Sequence, residues 1–596
     1  MEEMTRWSLR EMFPTDDDWK QTMEEALKLA NALAGCRGHL AETPQKLLET
    51  ARLYLDMEEK LYRLMVFANS NFDQNMADPE AKKLYEIAQN QATSIGEKLS
   101  FMAPELMEHS LEEFLQWCQE EPALKLYETY ARDFFDRKEH ILSDEMETLL
   151  VRMNDMGESF SKVFEDLTVN DMEFPLVHTL EGEEIRANEA NYAAALENPD
   201  PAFRRDYYKG LLGTYQKHIN TLASVHYGSV KNDCFTAKTR RYASARAAAL
   251  HANHIPEEVY DNLLETVRAN VEPLHEYVAF RKERLGLDTL YFSDLFVPLV
   301  QESARKYTYE EAQQMVLQAT AVLGEDYTRL VQRAFDERWI DVYPREAKRT
   351  GAYSTGAYRC KPYVLLNFTG TLDDVFTLAH ELGHSMHTWF SNEAQPFLYA
   401  NYSIFCAEVA STLNEQLLSR WLFDHTTDEN EKALLLCKRL DDIRSTFYRQ
   451  TMFADFENQT HQLVEKGEPL VPETLCGIHR SLNELYYGKA LVVDDYLSCE
   501  WARIPHFYTA FYVYQYATGI AAATAIANRI FTEGEKAVAD YRRFLTTGGS
   551  GHPIDLLRIA GVDMASPKPV LDTIDTFRST LQELKALLPA AEKADQ

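Results

Sequence analysis

Apolar residues recur every three or four positions through most of this chain, the spacing of one helical face. Trp19, Met23, Ala26, Leu27, Ala30 and Leu33 form one such stripe, with Asp16 to Asp18 as a start signal and Gly35 as a stop. Similar periodicity runs from about Pro44 into the 160s, so the fold class is read as mostly α: long helices, short connections, stacked helical layers. Strand patterning is sparse. Phe174 to Leu180, then Glu181-Gly182 and a further short segment, predicts a hairpin, and Trp339 to Tyr343 predicts a short strand. Lys361 to Phe368 is the clearest strand, with β-formers between turn residues. Pro362 suits an edge position there, since proline gives no N–H to a ladder. Asn198-Pro-Asp-Pro201 breaks the helical pattern. It divides the chain into an N-terminal helical domain, 1–200, and a larger region, 201–587, with a tail at 588–596 expected to fray.

Composition changes this picture mainly by exclusion. With 596 residues the chain exceeds one ordinary core, and 45% hydrophobic content is ample for a large folded protein. A formal net charge of −33 argues against a nucleic-acid partner, because phosphate binding needs clustered Lys and Arg. The opening residues are acidic and lack an apolar signal region, and no run of uncharged apolar residues is long enough to span a membrane. The eight cysteines are scattered, with no CxxC pair, and are read as reduced thiols of a cytoplasmic protein.

The chemistry concentrates in His380-Glu381-Leu382-Gly383-His384, an HExxH. Residues i and i+4 share a helical face, so two imidazoles can hold one Zn²⁺ while the intervening Glu381 reaches the water it polarises. Thr371 is the expected N-cap, and Asp374 completes a near capping box. Val375, Phe376, Leu378, Ala379, Leu382 and Met386 make the helix apolar around most of its circumference, hence buried. A catalytic zinc needs a third protein ligand and one open position. Glu393, Glu408 and Glu415 are the downstream candidates. Glu393 is expected in a loop past the helix. Glu408 lies on a second apolar helix, where Ala407 and Ala410 permit a close approach, and it is chosen as the ligand. Glu415, seven positions on and on the same face, suits a carboxylate that orients an imidazole. His387 does not fit the longer HExxHxxGxxH pattern and is read as a hydrogen-bonding core histidine. Donors for an oxyanion are sought in His506-Phe-Tyr508 and Phe511-Tyr-Val-Tyr514-Gln-Tyr516. Gly548-Gly549-Ser550-Gly551 is read as a flexible loop that can let a backbone approach a substrate.

Several segments in order resemble the oligoendopeptidase F branch of the thimet-oligopeptidase-like M3 metallopeptidases. They are Gly351 to Tyr358, Tyr363 to Phe368, Thr371 to His387, Phe511 to Gly519 and Gly561 to Met564. The resemblance implies a multi-helix ellipsoid with a deep substrate channel, a few short strands near the active site and a gluzincin-type site. It implies one zinc per chain on His380, His384 and Glu408, with Glu381 as general base. It also implies substrate and transition-state binding by His506, Tyr508 and Tyr514, with Tyr514 the first choice for oxyanion donor, and the strand at 363–368 as a peptide-binding edge. The implied activity is zinc-dependent cleavage of internal bonds in short unfolded peptides. Its rivals are a carboxypeptidase or dipeptidyl carboxypeptidase on the same scaffold, and a non-catalytic peptide-binding protein. No oligomeric state is assigned.

Overall fold

The computed structural model describes residues 2–300 and 305–588. The elements used below are helices α1 (Asp16–Ala34), α2 (Pro44–Gln74), α3 (Pro79–Leu99), α4 (Ile219–Thr239), α5 (Glu257–Arg268), α6 (Leu372–Ala394), α7 (Ile404–His425), α8 (Arg449–Glu465), α9 (Pro472–Tyr487) and α10 (Tyr514–Glu533). The strands are β1 (Leu176–His178), β2 (Glu184–Arg186), β3 (Ile340–Asp341), β4 (Tyr353–Thr355) and β5 (Tyr363–Leu365). The mostly helical reading holds, with short strands only, and no described helix is long and apolar enough to cross a membrane.

The predicted stripe of α1 is buried at Trp19, Met23, Ala26, Ala30 and Leu33. Its start differs in detail from the expectation. Thr15, rather than the aspartates, is the N-cap, in a reciprocal capping box with Asp18. The predicted hairpin is β1–β2, antiparallel with Val177 opposite Ile185. Gly182 sits in its turn at φ +85°, a conformation glycine adopts without steric cost.

One strand reading is corrected. The strand within Lys361 to Phe368 is not an edge: the sheet order is β3-β5-β4, with β5 parallel to β3 and antiparallel to β4. Pro362 is tolerated because it precedes the paired residues. Val364 and Leu366 donate to the carbonyls of Trp339 and Asp341. The next rung would need an N–H at position 362, and there the Lys361 ammonium bonds the Glu337 carbonyl instead. The edge strand on the other side of β5 is β4.

The chain forms two compact units, each assembled from three stretches. One unit comprises 1–144, 305–421 and 526–561; the other comprises 145–304, 422–525 and 562–596. The expected cut at about 200 does not coincide with a unit boundary. Asp200 there caps the helix Pro201–Lys217, whose first turn accepts proline. In the first unit the N-terminal segment shares a core with the sheet: Trp7, Phe13, Trp19 and Phe67 belong to one buried cluster with Tyr363 and Leu365 of β5. An amphipathic helix needs an apolar partner, and here that partner comes from more than 300 residues away in sequence. Of the tail expected to fray, 589–596 lie outside the described residues.

In the second unit His226 on α4 is enclosed by the rings of Phe456, Trp501, Phe507 and Tyr508 at 5.8–6.2 Å. Burial, reinforced by the charge of His461, pushes its pKa down to about 3. The unfolded chain, with a histidine near 6.5, therefore binds more protons below that pH, and stability falls as pH drops from about 6.5 toward 3. Replacing His226 by Phe removes this contribution, on the order of a few kcal/mol. Between pH 6.5 and 4.5 the thermal transition of the His226→Phe protein should shift less than that of the wild type. Equal shifts in a calorimetric pH series would refute it.

Candidate active site

The first-unit site is built on α6. Thr371 accepts from the Asp374 N–H at 3.1 Å, and the Asp374 carboxylate accepts from the N–H groups of Thr371 and Thr369 at 2.9 Å, completing the expected capping box. The expected apolar positions, Val375, Phe376, Leu378, Ala379, Leu382 and Met386, are all buried. The helix extends to Ala394, so Glu393 is an exposed helical residue rather than part of a loop.

The second helix, α7, lies against α6 at backbone distance. A Cβ on Gly383 would stand 2.5 Å from the Ala410 carbonyl oxygen and 2.6 Å from the Ser411 Cα, so only glycine fits. One turn earlier on α6, the Ala379 carbonyl accepts from the Asn414 side chain at 3.1 Å, and Asn414 in turn accepts from the Tyr327 hydroxyl at 3.0 Å. Position 379 thus meets 414 and position 383 meets 410–411, so the two helices run antiparallel. The close approach expected from Ala410 is present, with glycine as its counterpart.

This contact brings the expected metal ligands together. Glu408 Oε2 lies 3.4 Å from His380 Nε2 and 3.5 Å from His384 Nε2, and the three ligand atoms all fall within 4.8 Å of one another. Ser411, which sequence reasoning did not single out, donates to the same Glu408 oxygen at 2.9 Å. Glu415 takes the role foreseen for it, with Oε1 3.1 Å from His380 Nδ1. A carboxylate there favours the proton on Nδ1, which makes Nε2 the nitrogen that can face a metal.

The electrostatics fit a cation. Burial alone would lower the His380 pKa, yet Glu408 and Glu415 raise it to about 10. Glu408 is held far below the usual carboxylate range by His380 and His384 despite its burial. The point where these groups meet strongly favours positive charge, and two neutral imidazoles plus a carboxylate are an N/O donor set that Zn²⁺ accepts. Glu381, 6% exposed, is pushed upward by burial against the pull of the two histidines, and its Oε2 is buried without a protein partner among the described residues.

Neighbouring features refine the expectations. His387 is a core residue, stacked on Tyr402 at 3.7 Å and near Phe544, but its ring nitrogens have no protein hydrogen bond among the described residues. Burial lowers its pKa to about 3, so it is neutral. The edge strand β4 runs beside α6, with the Ser354 and Ser385 hydroxyls 2.8 Å apart. Next to it lies a recess of about 280 Å³ bordered by Tyr62, Thr355, Thr388, Asn392 and Tyr402. Gly548 and Gly549 serve close contact with the chain's own backbone. A Cβ at Gly548, φ +52°, would meet the Tyr399 oxygen at 2.0 Å, and Gly549 donates to that carbonyl at 2.9 Å.

His506, Tyr508 and Tyr514 belong to the second unit and occupy different surroundings within it. Tyr514 is 1% exposed, its ring packed on Tyr260 of α5 at 5.2 Å. Tyr508 packs on Phe164 at 4.7 Å. His506 forms a half-buried cluster with Tyr512 and Tyr516; the Tyr516 hydroxyl is 3.5 Å from both His506 Nε2 and the Tyr512 hydroxyl. The loop joining these residues turns at Phe511, which holds φ +52°, rare for an aromatic residue. Glu457 of α8 accepts the Phe511 N–H at 2.7 Å, and the His461 ring lies 4.6 Å from the Phe511 ring. Burial raises the Glu457 carboxyl to about 8. No sequence spacing links Glu457 to Phe511, and sequence reasoning passed over it.

Comparison with known proteins places this site in a family. The model of peptidase family M3 matches residues 194–576, and an oligopeptidase F model matches 105–174. The chain belongs to peptidase family M3. It is 39% identical to the oligopeptidase PepF of Bacillus subtilis over 98% of this chain and 87% of that protein. It is 37% identical to the group B oligopeptidase PepB of Streptococcus agalactiae over 99% and 98%. Among solved structures, a Chlamydophila abortus protein assigned as a peptidase aligns with a TM-score of 0.91 at 33% identity, covering 98% of both chains. The oligoendopeptidase-F of Enterococcus faecium aligns with a TM-score of 0.75 at 31% identity, covering 96% of this chain and 99% of that one. Like other M3 chains, this protein is a peptidase acting on peptides. The family model begins near the sequence break at 200, whereas the compact units cut across it.

The Gly383 contact yields a prediction. Gly383→Ala forces α6 and α7 apart, an overpacking cost of about 1–3 kcal/mol, and moves Glu408 away from the histidines. The variant should melt at lower temperature and lose metal to a chelator sooner than the wild type. Unchanged melting and metal retention would show that the backbone approach is dispensable.

Proposed function

We propose that this chain is a zinc-dependent oligoendopeptidase that hydrolyses internal bonds of short, unfolded peptides. The observation that carries the reading is the convergence of His380 Nε2, His384 Nε2 and Glu408 Oε2 on one cation-favouring point. Zn²⁺ held by these residues would polarise a peptide carbonyl as a Lewis acid and lower the pKa of water beside it. Glu381 is the general base: its buried, raised carboxylate takes a proton from the attacking water and delivers it to the leaving nitrogen. Glu415 fixes the His380 tautomer, and Ser411 orients the Glu408 oxygen.

The substrate backbone is assigned to the edge of β4, in place of the strand at 363–368. A strand with one unpaired side can bind an extended peptide through main-chain hydrogen bonds, with loose sequence preference. Transition-state donors are assigned to His506, Tyr508 and Tyr514, as the resemblance implies.

Glu381→Ala should keep its metal and lose about 10²- to 10⁴-fold in kcat. Wild-type kcat in that variant would end the general-base assignment. Glu408→Ala should lose metal in chelator competition well before the wild type, and unchanged retention would move the third-ligand role elsewhere. Peptides blocked at both termini should be cut internally when products are read by mass spectrometry. Refusal of blocked peptides alongside cleavage of free ones would shift the reading to an exopeptidase.

A further inference from the structure

Outside the site described above, two thiols of the second unit lie in contact. Cys476 on α9 and Cys499, just after the short helix Asp495–Ser498, have their Sγ atoms 3.4 Å apart although they are 23 positions apart in sequence. The two segments are tied around the pair. The Arg480 guanidinium donates to the Val493 carbonyl at 2.7 Å and to Asp495 at 2.6 Å, and His479 Nδ1 lies 3.0 Å from the Leu497 carbonyl. The sulfurs are therefore held together by the framework. The Trp501 indole N–H also donates to Cys476 Sγ at 3.4 Å, a donor that favours the thiolate. Cys499 is buried and Cys476 is half-buried, so Cys476 is the more exposed of the two.

We infer that Cys476 and Cys499 form a peroxide-sensitive modification site, in which Cys476 is the attacking thiol and Cys499 the resolving one. The Cys476 thiolate attacks a hydroperoxide oxygen; the O–O bond breaks, an S–O bond forms, and water or alcohol leaves. The Cys499 sulfur then attacks the sulfenic sulfur; an S–S bond forms, the S–O bond breaks, and the oxygen departs as water. Two thiols lose two electrons, and the hydroperoxide gains them. Closing from 3.4 Å to a bond of about 2.05 Å needs a shift of roughly 1.3 Å, within the reach of side-chain rotation.

The surroundings also select this pair. Hydrogen bonds from Cys499 and Trp501 lower the Cys476 thiol from its ordinary value. Burial pushes Cys234, Cys406 and Cys437 up to about 12 and raises Cys118 and Cys360. Thiolate fraction governs attack on peroxide, so those thiols react more slowly. In a reducing compartment such a pair rests as two thiols and is oxidised only transiently, as redox-sensing pairs are. The inference does not depend on the peptidase chemistry assigned to the first unit.

The test is stepwise hydrogen peroxide treatment of the reduced full-length chain, followed by non-reducing peptide mapping. The expected product is a linked peptide joining residues 476 and 499, lighter by two hydrogens and restored by dithiothreitol. In Cys499→Ser, dimedone should trap a sulfenic acid on Cys476 with no cross-link. In Cys476→Ser, Cys499 should stay unmodified at the same dose. Iodoacetamide should label Cys476 of the unmutated protein before the other thiols. Prior reaction of Cys36 or another cysteine, methionine oxidation before any 476–499 link, or no trapped acid in Cys499→Ser would overturn the inference.

Discussion

The backbone contact of Gly383 with Ala410 and Ser411 is the constraint on which the candidate metal centre depends. Two helices carrying side chains at that crossing would stand farther apart, and a glutamate reaches only a few ångströms. With no Cβ on α6 at this point, Glu408 comes within 3.5 Å of both histidines. Ser411, one position past Ala410, contributes both to the crossing and to the orientation of Glu408. Asn414 and Tyr327 lock the same crossing one turn away. Packing and chemistry thus share residues, and substitutions there cannot affect one without the other.

Burial sets the charge logic around that contact. Three carboxylates, Glu381, Glu408 and Glu415, share a small volume with two imidazoles. Glu381 and Glu408 respond to their neighbours in opposite directions. Glu408 is stabilised as an anion by both histidines, whereas burial pushes Glu381 upward, its Oε2 having no protein partner among the described residues. That divergence of nearly identical groups follows from which atoms they face. His387, one turn farther along α6, is kept neutral by its burial, with its ring stacked on Tyr402 and near Phe544.

The second unit uses buried polar groups in another way. Glu457 holds the N–H of a residue in a left-handed conformation, fixing the turn that leads into Tyr512, Tyr514 and Tyr516. A phenylalanine at positive φ persists only where its surroundings over-determine it, and here a hydrogen bond and two packed rings do so. In the same unit, a network of backbone and guanidinium contacts brings two cysteines together that the sequence separates.

The sequence by itself determined the helical class and the capped, buried HExxH helix, and it singled out His380, His384 and Glu408 as candidate ligands with Glu415 behind them. These are local or periodic features: helical spacing fixes which residues share a face, and an apolar helix announces its burial. Resemblance supplied the family, which the comparisons bear out. Only the tertiary structure decided that β5 is central and β4 is the edge, because strand order depends on partners hundreds of residues apart and Pro362 lies just outside the ladder. It alone decided that the N-terminal segment shares a core with the sheet, that Gly383 sets the helix spacing, that Glu457 supports Phe511, and that Cys476 meets Cys499. Such contacts join positions with no fixed separation along the chain, so no periodicity in the sequence can reveal them.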